Sequence, residues 1–326
     1  MTNILIALVV LLVITSLVQL TRVSELLAEL KNEDVNKVTD NDNKTQGVLF
    51  LVIGMGFLIS VVWQMIEWNH LLLPAAASIH GEHIDFLMRI TMTLILVVFF
   101  IVTPILFYFA YKYRGNTNNT AYFVSHNNKL ELIWTVVPAI VLTAVIVLGL
   151  KTWDKAMNVD TSDAKVIEVY SEQFRWTARG SGVDNKLGSS NFKLVTATNA
   201  LGVDLEDPNY LDDQLLREVH LVVDKPVLLK FRSRDVIHSA FLPHFRVQMN
   251  CVPGIITQFA FTPNKTTKEM KEQEGEDFEY ILLCNKICGS AHYNMQMNFI
   301  VETQEEYDAW IASKTTLSEK LLTQKQ

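Results

Sequence analysis

Residues 132–150, LIWTVVPAIVLTAVIVLGL, carry no charge, whereas residues 151–170, KTWDKAMNVDTSDAKVIEVY, break into short runs separated by charges and turn formers. A charge-free run of about 18 residues or more is long enough to cross a bilayer as a helix. The boundary between the two stretches therefore separates a membrane part from a water-facing part. Toward the N-terminus three more such runs occur, Met1 to Thr21, Thr45 to Ile66 and Ile90 to Tyr111. The figures for the whole chain of 326 residues, 49% hydrophobic, 19% charged and a mean hydropathy of +0.20, are thus an average over two unlike halves.

The first run contains Thr15, Ser16 and Gln19, and an apolar N-terminus of this length could be a secretory signal. No Lys or Arg lies between Met1 and Leu20, so a basic n-region is missing and a retained helix is expected. Loop charges set the orientation. The loop from Arg22 to Lys44 holds four basic residues and that from Lys112 to Glu131 three, while the loop from Glu67 to Arg89 holds only Arg89. By the positive-inside rule the first and third loops are cytoplasmic, and everything after Leu150 lies outside.

The external part contains AKVIEVY, EVHLVV, PVLLKF, GIITQFAF, FEYILL and QMNFIVE, β-rich runs at the spacing of a sandwich or barrel. The stretch from Gly180 to Asp213, rich in Gly, Ser, Asn and Asp, reads as an insertion or long loop. Thr303-Gln-Glu-Glu306 has capping-box spacing, which predicts a short closing helix followed by a polar tail. The expected organisation is an extra membrane helix and cytoplasmic loop over 1–44, a second membrane helix and external loop over 45–89, and a transmembrane hairpin over 90–151. An all-β domain over 152–313, with its insertion at about 180–213, and a tail over 314–326 complete it. Net charge is −7, from 28 Lys+Arg and 35 Asp+Glu, which excludes a nucleic-acid binder that must neutralise phosphate. From Thr152 to Gln326 there are 25 acidic and 19 basic residues, a balance of −6 that either attracts a basic partner or only keeps the domain soluble.

Three cysteines are too few for a disulfide framework, but two of them fall in Cys284-Asn-Lys-Ile-Cys288-Gly-Ser-Ala-His292-Tyr-Asn-Met295. Two thiolates, an imidazole and a thioether within one window are soft ligands, a set that selects copper over zinc. A Cys284–Cys288 disulfide is the competing reading. A mononuclear blue-copper site has one Cys and two His; here there are two Cys, and Asp235-Val-Ile-His238-Ser239 offers the second His at a strand end. Two thiolates, two imidazoles, one Met and one carbonyl can hold two copper ions, a centre suited to electron transfer.

Asp235-Val-Ile-His238-Ser239, then Val247-Gln248-Met249-Asn250-Cys251-Val252-Pro253-Gly254, then Cys284-x3-Cys288-x3-His292-x2-Met295 resemble subunit II of the haem-copper cytochrome c oxidases. The resemblance covers roughly Asp85 to Trp310 and rests on three separated motifs in the family's order. It implies N-terminal transmembrane α-helices followed by an all-β cupredoxin-like sandwich with a binuclear copper centre, CuA. By this resemblance Cys284 and Cys288 bridge the coppers and His238 and His292 cap one each. Met295 and the backbone carbonyl of Lys286 are the weak ligands. It implies a subunit that accepts electrons from cytochrome c and passes them to haem a in subunit I, where oxygen is reduced to water and protons are pumped. Subunit III, membrane lipid and a cytochrome c, or a cytochrome c domain of another respiratory complex, are the other expected partners. The implied location is the bacterial inner membrane with the C-terminal domain in the periplasm.

Four features depart from the family. Lys286 stands where Glu is usual, and Asn250 replaces a commonly acidic neighbour, so the family's Mg or Mn ion at the subunit I interface is in doubt and the Lys286 ammonium is expected in its place. Phe174 in Gln173-Phe174-Arg175-Trp176 stands where Trp often receives the electron; Phe174 and Trp176 are the candidate electron-accepting aromatics. No Cys-x-x-Cys-His motif occurs, so no cytochrome c domain is fused here. The first two apolar runs exceed the usual two-helix anchor. Glu131, at the start of a membrane helix that Pro138 can kink, resembles the carboxylate at the entrance of the K proton channel. Its alternative is an ordinary interfacial acid favoured by the helix dipole. His70, His80 and His83 lack convincing ligand spacing, and Cys251 is expected to be a small buried residue. A copper-free quinol oxidase subunit and a membrane-anchored copper-storage protein are the competing functions.

Overall fold

The computed structural model describes residues 2–30 and 37–323, and Lys31 of the first cytoplasmic loop lies outside the described residues. The chain forms two compact units, residues 1–69 with 95–127 and residues 70–94 with 128–326. Each apolar run becomes a helix longer than itself: α1 Thr2–Leu30, α2 Asp40–Glu67, α3 Ile79–Lys112 and α4 Asn128–Met157. All four are long and apolar enough to cross a membrane. At 1.5 Å per residue the 34 residues of α3 span about 51 Å, so it projects well beyond a hydrocarbon core of about 30 Å. Thr39 and Asp42 cap α2 reciprocally, and Gly54 lets the Phe107 ring of α3 approach so closely that a Cβ would lie 2.3 Å from it. Small residues serve such close helix approach in lipid.

The fourth helix runs past the expected domain boundary at 151/152. Helix α4 continues to Met157, and the first strand begins at Lys165. The expected external loop between the second and third runs is half helix and half plug. Ala77 N–H donates to His244 O at 2.8 Å, the Ser78 hydroxyl donates to Phe245 O at 2.8 Å, and Arg246 bonds Asp85 through both Nε and Nη2 at 2.9 Å. This segment therefore belongs to the β unit.

The domain is a sandwich of two five-stranded sheets. The first contains, in spatial order, β3 Gln214–Leu216, β2 Arg175–Gly180, β1 Lys165–Glu172, β5 Val227–Ser233 and β8 Thr257–Phe261. The second contains β4 Val219–Val222, β10 Gln296–Glu302, β9 Tyr280–Cys284, β6 His238–Leu242 and β7 Val247–Cys251. All six anticipated strands form. β2, β3, β6 and β7 went unanticipated because their polar residues obscure the pattern, as in RWTARG and VQMNC. Val169, Leu229, Phe231 and Phe261 of the first sheet and Leu242, Leu282, Phe299 and Val301 of the second form the buried core.

The central strand β1 is buried on both faces, because side chains alternate and each face finds a cover. Ile167 and Val169 enter the core, while Glu168 and Tyr170 point to the outer face, which the insertion covers with Leu201 and Val203. The insertion is an ordered layer with 3₁₀ turns at Phe192–Leu194 and Pro208–Tyr210. A short helix α5, Thr267–Glu274, precedes β9, and the closing helix α6, Gln304–Ala312, carries the predicted Thr303/Glu306 capping box. The expected tail is corrected: Leu317–Thr323 forms α7, whose Leu317 is buried against the insertion and donates its N–H to Asp213 O at 2.6 Å. Its signal was present as one more capping pair, Thr316 with Glu319.

Candidate metal centre

Three strand ends build the centre. β6 begins at His238, β9 ends at Cys284, and β10 begins one residue after Met295. The pairings Ala240 with Cys284 and Gln296 with Leu283 put these ends together at one pole of the second sheet. The intervening loop is fastened at both shoulders: Asn285 N–H donates to Ser239 O at 2.9 Å and Cys284 N–H to Met295 O at 3.2 Å. A 3₁₀ turn, His292–Asn294, aims the imidazole inward.

The sulfurs of Cys284 and Cys288 lie 3.9 Å apart and both thiols are free, so the disulfide reading is not realised. Cys284 Sγ is 3.8 Å from His238 Nδ1 and 3.2 Å from Lys286 O. Cys288 Sγ is 3.6 Å from His292 Nδ1 and 3.9 Å from Met295 Sδ. His238, Cys284 and Cys288 present ligand atoms all within 4.8 Å of one another, the one such group of three among the described residues. Each sulfur thus has its own imidazole and its own weak donor, a paired donor set that fits two soft metal ions sharing two thiolates. His238, Cys284, Cys288 and Met295 are buried. Burial, with the neighbouring Cys284 thiol, pushes the Cys288 thiol up to about 11, so its thiolate form calls for a cation beside it.

Behind the ligands stands a residue the sequence reading quoted without assigning it a role. Asp235 Oδ1 lies 2.8 Å from His238 Nε2, so the carboxylate accepts a hydrogen bond from Nε2–H and leaves the unprotonated Nδ1 to face the sulfur. Burial works to raise the Asp235 carboxyl, but bonds from His238 and from the Gln173 and Val236 N–H groups outweigh it and hold the value low. The signal was a carboxylate three residues before a candidate ligand. Asp235→Ala is expected to lower copper affinity about 10- to 100-fold, the usual cost of losing such a partner. Competition against a chelator of known affinity measures it; unchanged affinity would remove Asp235 from this role.

Trp176 is buried at 6% exposure, with Nε1–H donating to Met295 O at 3.3 Å and its ring 6.1 Å from that of His238. It lies under the centre, so of the two aromatic candidates Phe174 alone reaches the surface. The Phe174 ring rests on Gly289, where a Cβ would come within 2.7 Å and φ is +145°. Gln173 Nε2 donates to Cys288 O, pinning the ligand loop to the β1–β2 turn. The Lys286 side chain and Asn250 are exposed. Cys251 is fully buried, and burial pushes its thiol up to about 12, as expected of a packed residue outside the ligand set. His80 is buried with its ring against Phe259, while Glu131 sits in the first turn of α4.

Two family models match, the transmembrane domain of cytochrome c oxidase subunit II at residues 61–152 and its periplasmic domain at residues 203–303. The alternative cytochrome c oxidase subunit 2 of Bradyrhizobium diazoefficiens is 30% identical over 83% of this chain and 92% of its own length. Cytochrome c oxidase subunit 2 of Synechocystis is 26% identical over 82% of each chain. Among solved structures, the periplasmic domain of cytochrome oxidase subunit II from Bradyrhizobium japonicum aligns at 22% identity and a TM-score of 0.32, covering 46% of this chain and 91% of that one. A haem-copper terminal oxidase dimer aligns at 15% identity and the same TM-score, covering 54% and 99%. With its membrane helices, its cupredoxin-like sandwich and a converging thiolate–imidazole cluster, this chain belongs to the cytochrome c oxidase subunit II family, a component of an oxidoreductase complex.

Proposed function

We propose that this chain is the electron-accepting subunit of a cytochrome c oxidase in a bacterial inner membrane, with its sandwich domain in the periplasm. It takes electrons from a c-type cytochrome and delivers them to haem a of subunit I for reduction of oxygen to water coupled to proton pumping. One observation carries the reading: two free thiols 3.9 Å apart, each with an imidazole nitrogen within 3.8 Å. Bound by Cys284, Cys288, His238, His292, Met295 and the Lys286 carbonyl, a copper pair would supply one-electron transfer with little change of geometry.

The protein's part is to hold those donors rigid and dry. Strand hydrogen bonds fix Cys284, Asp235 fixes the His238 tautomer, and Trp176 fills the space beneath Met295. Phe174 offers an aromatic face beside the Cys288 loop for the arriving electron. The exposed Lys286 ammonium replaces the divalent cation held at the subunit I interface in relatives, and subunit III completes the assembly. Metal analysis with electron paramagnetic resonance on the purified complex tests the whole reading. Two coppers per chain sharing one unpaired electron are expected; no copper, or a single exchangeable copper, contradicts it.

Glu131 is proposed to stand at the entrance of the K channel. Glu131→Ala is then expected to slow reduction of the oxygen site while leaving reduction of the copper pair unchanged, as followed by stopped-flow spectroscopy. Wild-type kinetics in that variant would return Glu131 to an interfacial helix-start acid.

A further inference from the structure

Three segments meet over the candidate centre: the β1–β2 turn, the stretch before His238 and the ligand loop, joined where Gln173 N–H donates to Asp235 Oδ2 at 2.7 Å and Gln173 Nε2 to Cys288 O. The ligand loop, whose Gly289 lies under the Phe174 ring, presents Ile287 and Tyr293 at 87% and 86% exposure. Charges on this face are sorted by sign. Glu172, at 13% side-chain exposure, is held between Arg175 and Arg234, whose own side chains are 67% and 42% exposed. The other carboxylate, that of Asp235, is engaged by His238 and two backbone N–H groups. Glu172 turns inward and the two guanidiniums outward, while Asp235 keeps 30% side-chain exposure.

The domain's negative charge sits elsewhere. The acidic stretches 272–279 and 302–308 lie before β9 and after β10, at the strand ends opposite Cys284 and Met295. Even the short β9 separates its two ends by about 13 Å, beyond a screening length of about 8 Å at physiological ionic strength. A molecule arriving over the centre therefore meets Arg175 and Arg234 rather than the net charge.

We propose that this face docks an electron-donor protein whose contact surface is acidic around an apolar middle, an apolar patch meeting Phe174, Ile287 and Tyr293 and carboxylates meeting Arg175 and Arg234. The proposal rests on the electron-accepting function above and reverses the charge that the domain's total suggests for its partner. The test uses the intact oxidase complex and two probes, an acidic c-type cytochrome and a lysine-rich basic one, with copper content measured on every preparation. The bimolecular rate with the acidic probe is expected to fall about tenfold or more from low to physiological salt, as steered association does. Arg175→Gln with Arg234→Gln is expected to remove most of that salt dependence and to slow the low-salt reaction about tenfold, while Arg175→Lys with Arg234→Lys, keeping the charge, restores it. A salt-sensitive preference for the basic probe, or an acidic-probe rate indifferent to the Gln pair, would overturn the proposal. Failure of the wild-type copper-loaded complex to accept electrons from a small diffusible reductant would instead overturn the function beneath it, and this inference with it.

Discussion

Cys284→Ser is expected to abolish electron acceptance while leaving the chain folded and membrane-bound. A serine hydroxyl does not ionise where a thiol does, so the variant loses the sulfur that stands 3.2 Å from Lys286 O, 3.8 Å from His238 Nδ1 and 3.9 Å from Cys288 Sγ. That is a donor common to both halves of the paired set, and its removal should exceed the about 10- to 100-fold affinity loss typical of changing a group behind a ligand. The backbone need not suffer, because Cys284 N–H donates to Met295 O whatever the side chain. Copper per chain, the paramagnetic signal and oxygen consumption with reduced cytochrome c measure the outcome. Two coppers and a normal rate would refute the assigned centre. Cys251→Ala supplies the contrast: that thiol is buried in the core beside the centre, so the variant should lose some stability but keep both coppers.

The largest expected effect on stability comes from Arg179, opposite Glu168 on the outer face of the first sheet. Its Nε lies 3.0 Å from Glu168 Oε2 and its Nη1 2.9 Å from Asp213 Oδ2, and all three side chains are buried between the first sheet and the insertion. Arg232 supplies the second cation, 3.1 Å from Glu168 Oε1. Arg179→Met strands the buried Asp213 carboxylate and leaves Glu168 with Arg232 as its one cation, and breaking a buried pair by removing one partner costs about 3–5 kcal/mol. The expected result is loosening of residues 181–213, read as faster proteolysis and hydrogen exchange there in the detergent-solubilised protein.

The pH dependence has a definite sign. Burial pushes the Asp213 carboxyl up to about 6 against the pull of Arg179, above its unfolded value of 3.8, so protonation favours the folded state. Its favourable contribution is present below the unfolded value and is lost as pH rises through about 6. Without Arg179 the carboxyl is harder still to ionise, so the variant should be less defective at pH 5 than at pH 8. Equal protection of 181–213 in variant and wild type at both pH values would show that the network does not hold the insertion.

This network marks where sequence reading stopped. Gly180 to Asp213 is polar and rich in turn formers, which describes a loop correctly at the level of composition. What makes it a layer is that Glu168, Arg179 and Arg232 come from three neighbouring strands and point to the same outer face. Strand pairing is set by contacts distant in sequence, and no local pattern displays it. The same holds for Leu317, whose burial depends on the insertion being in place. Asp235 and Trp176 were visible as letters, but their work, one fixing a tautomer and the other filling the space under Met295, exists only once β2 and β6, from the two facing sheets, meet at the loop that carries the cysteines.

The sequence alone determined the long apolar helices and the candidate donors. A charge-free run that spans a bilayer and a cluster of soft donors in one short window are local properties, and chemistry restricts what each can do. Only the tertiary structure decided that the four donors of residues 284–295 converge with a histidine 46 positions earlier. Only it decided that Trp176 is buried while Phe174 is at the surface, and that Arg175 and Arg234 reach solvent around the covered Glu172. Those outcomes depend on which strand ends meet and which side chains are desolvated there. Both are set by packing across the sandwich, which no segment of the chain specifies by itself.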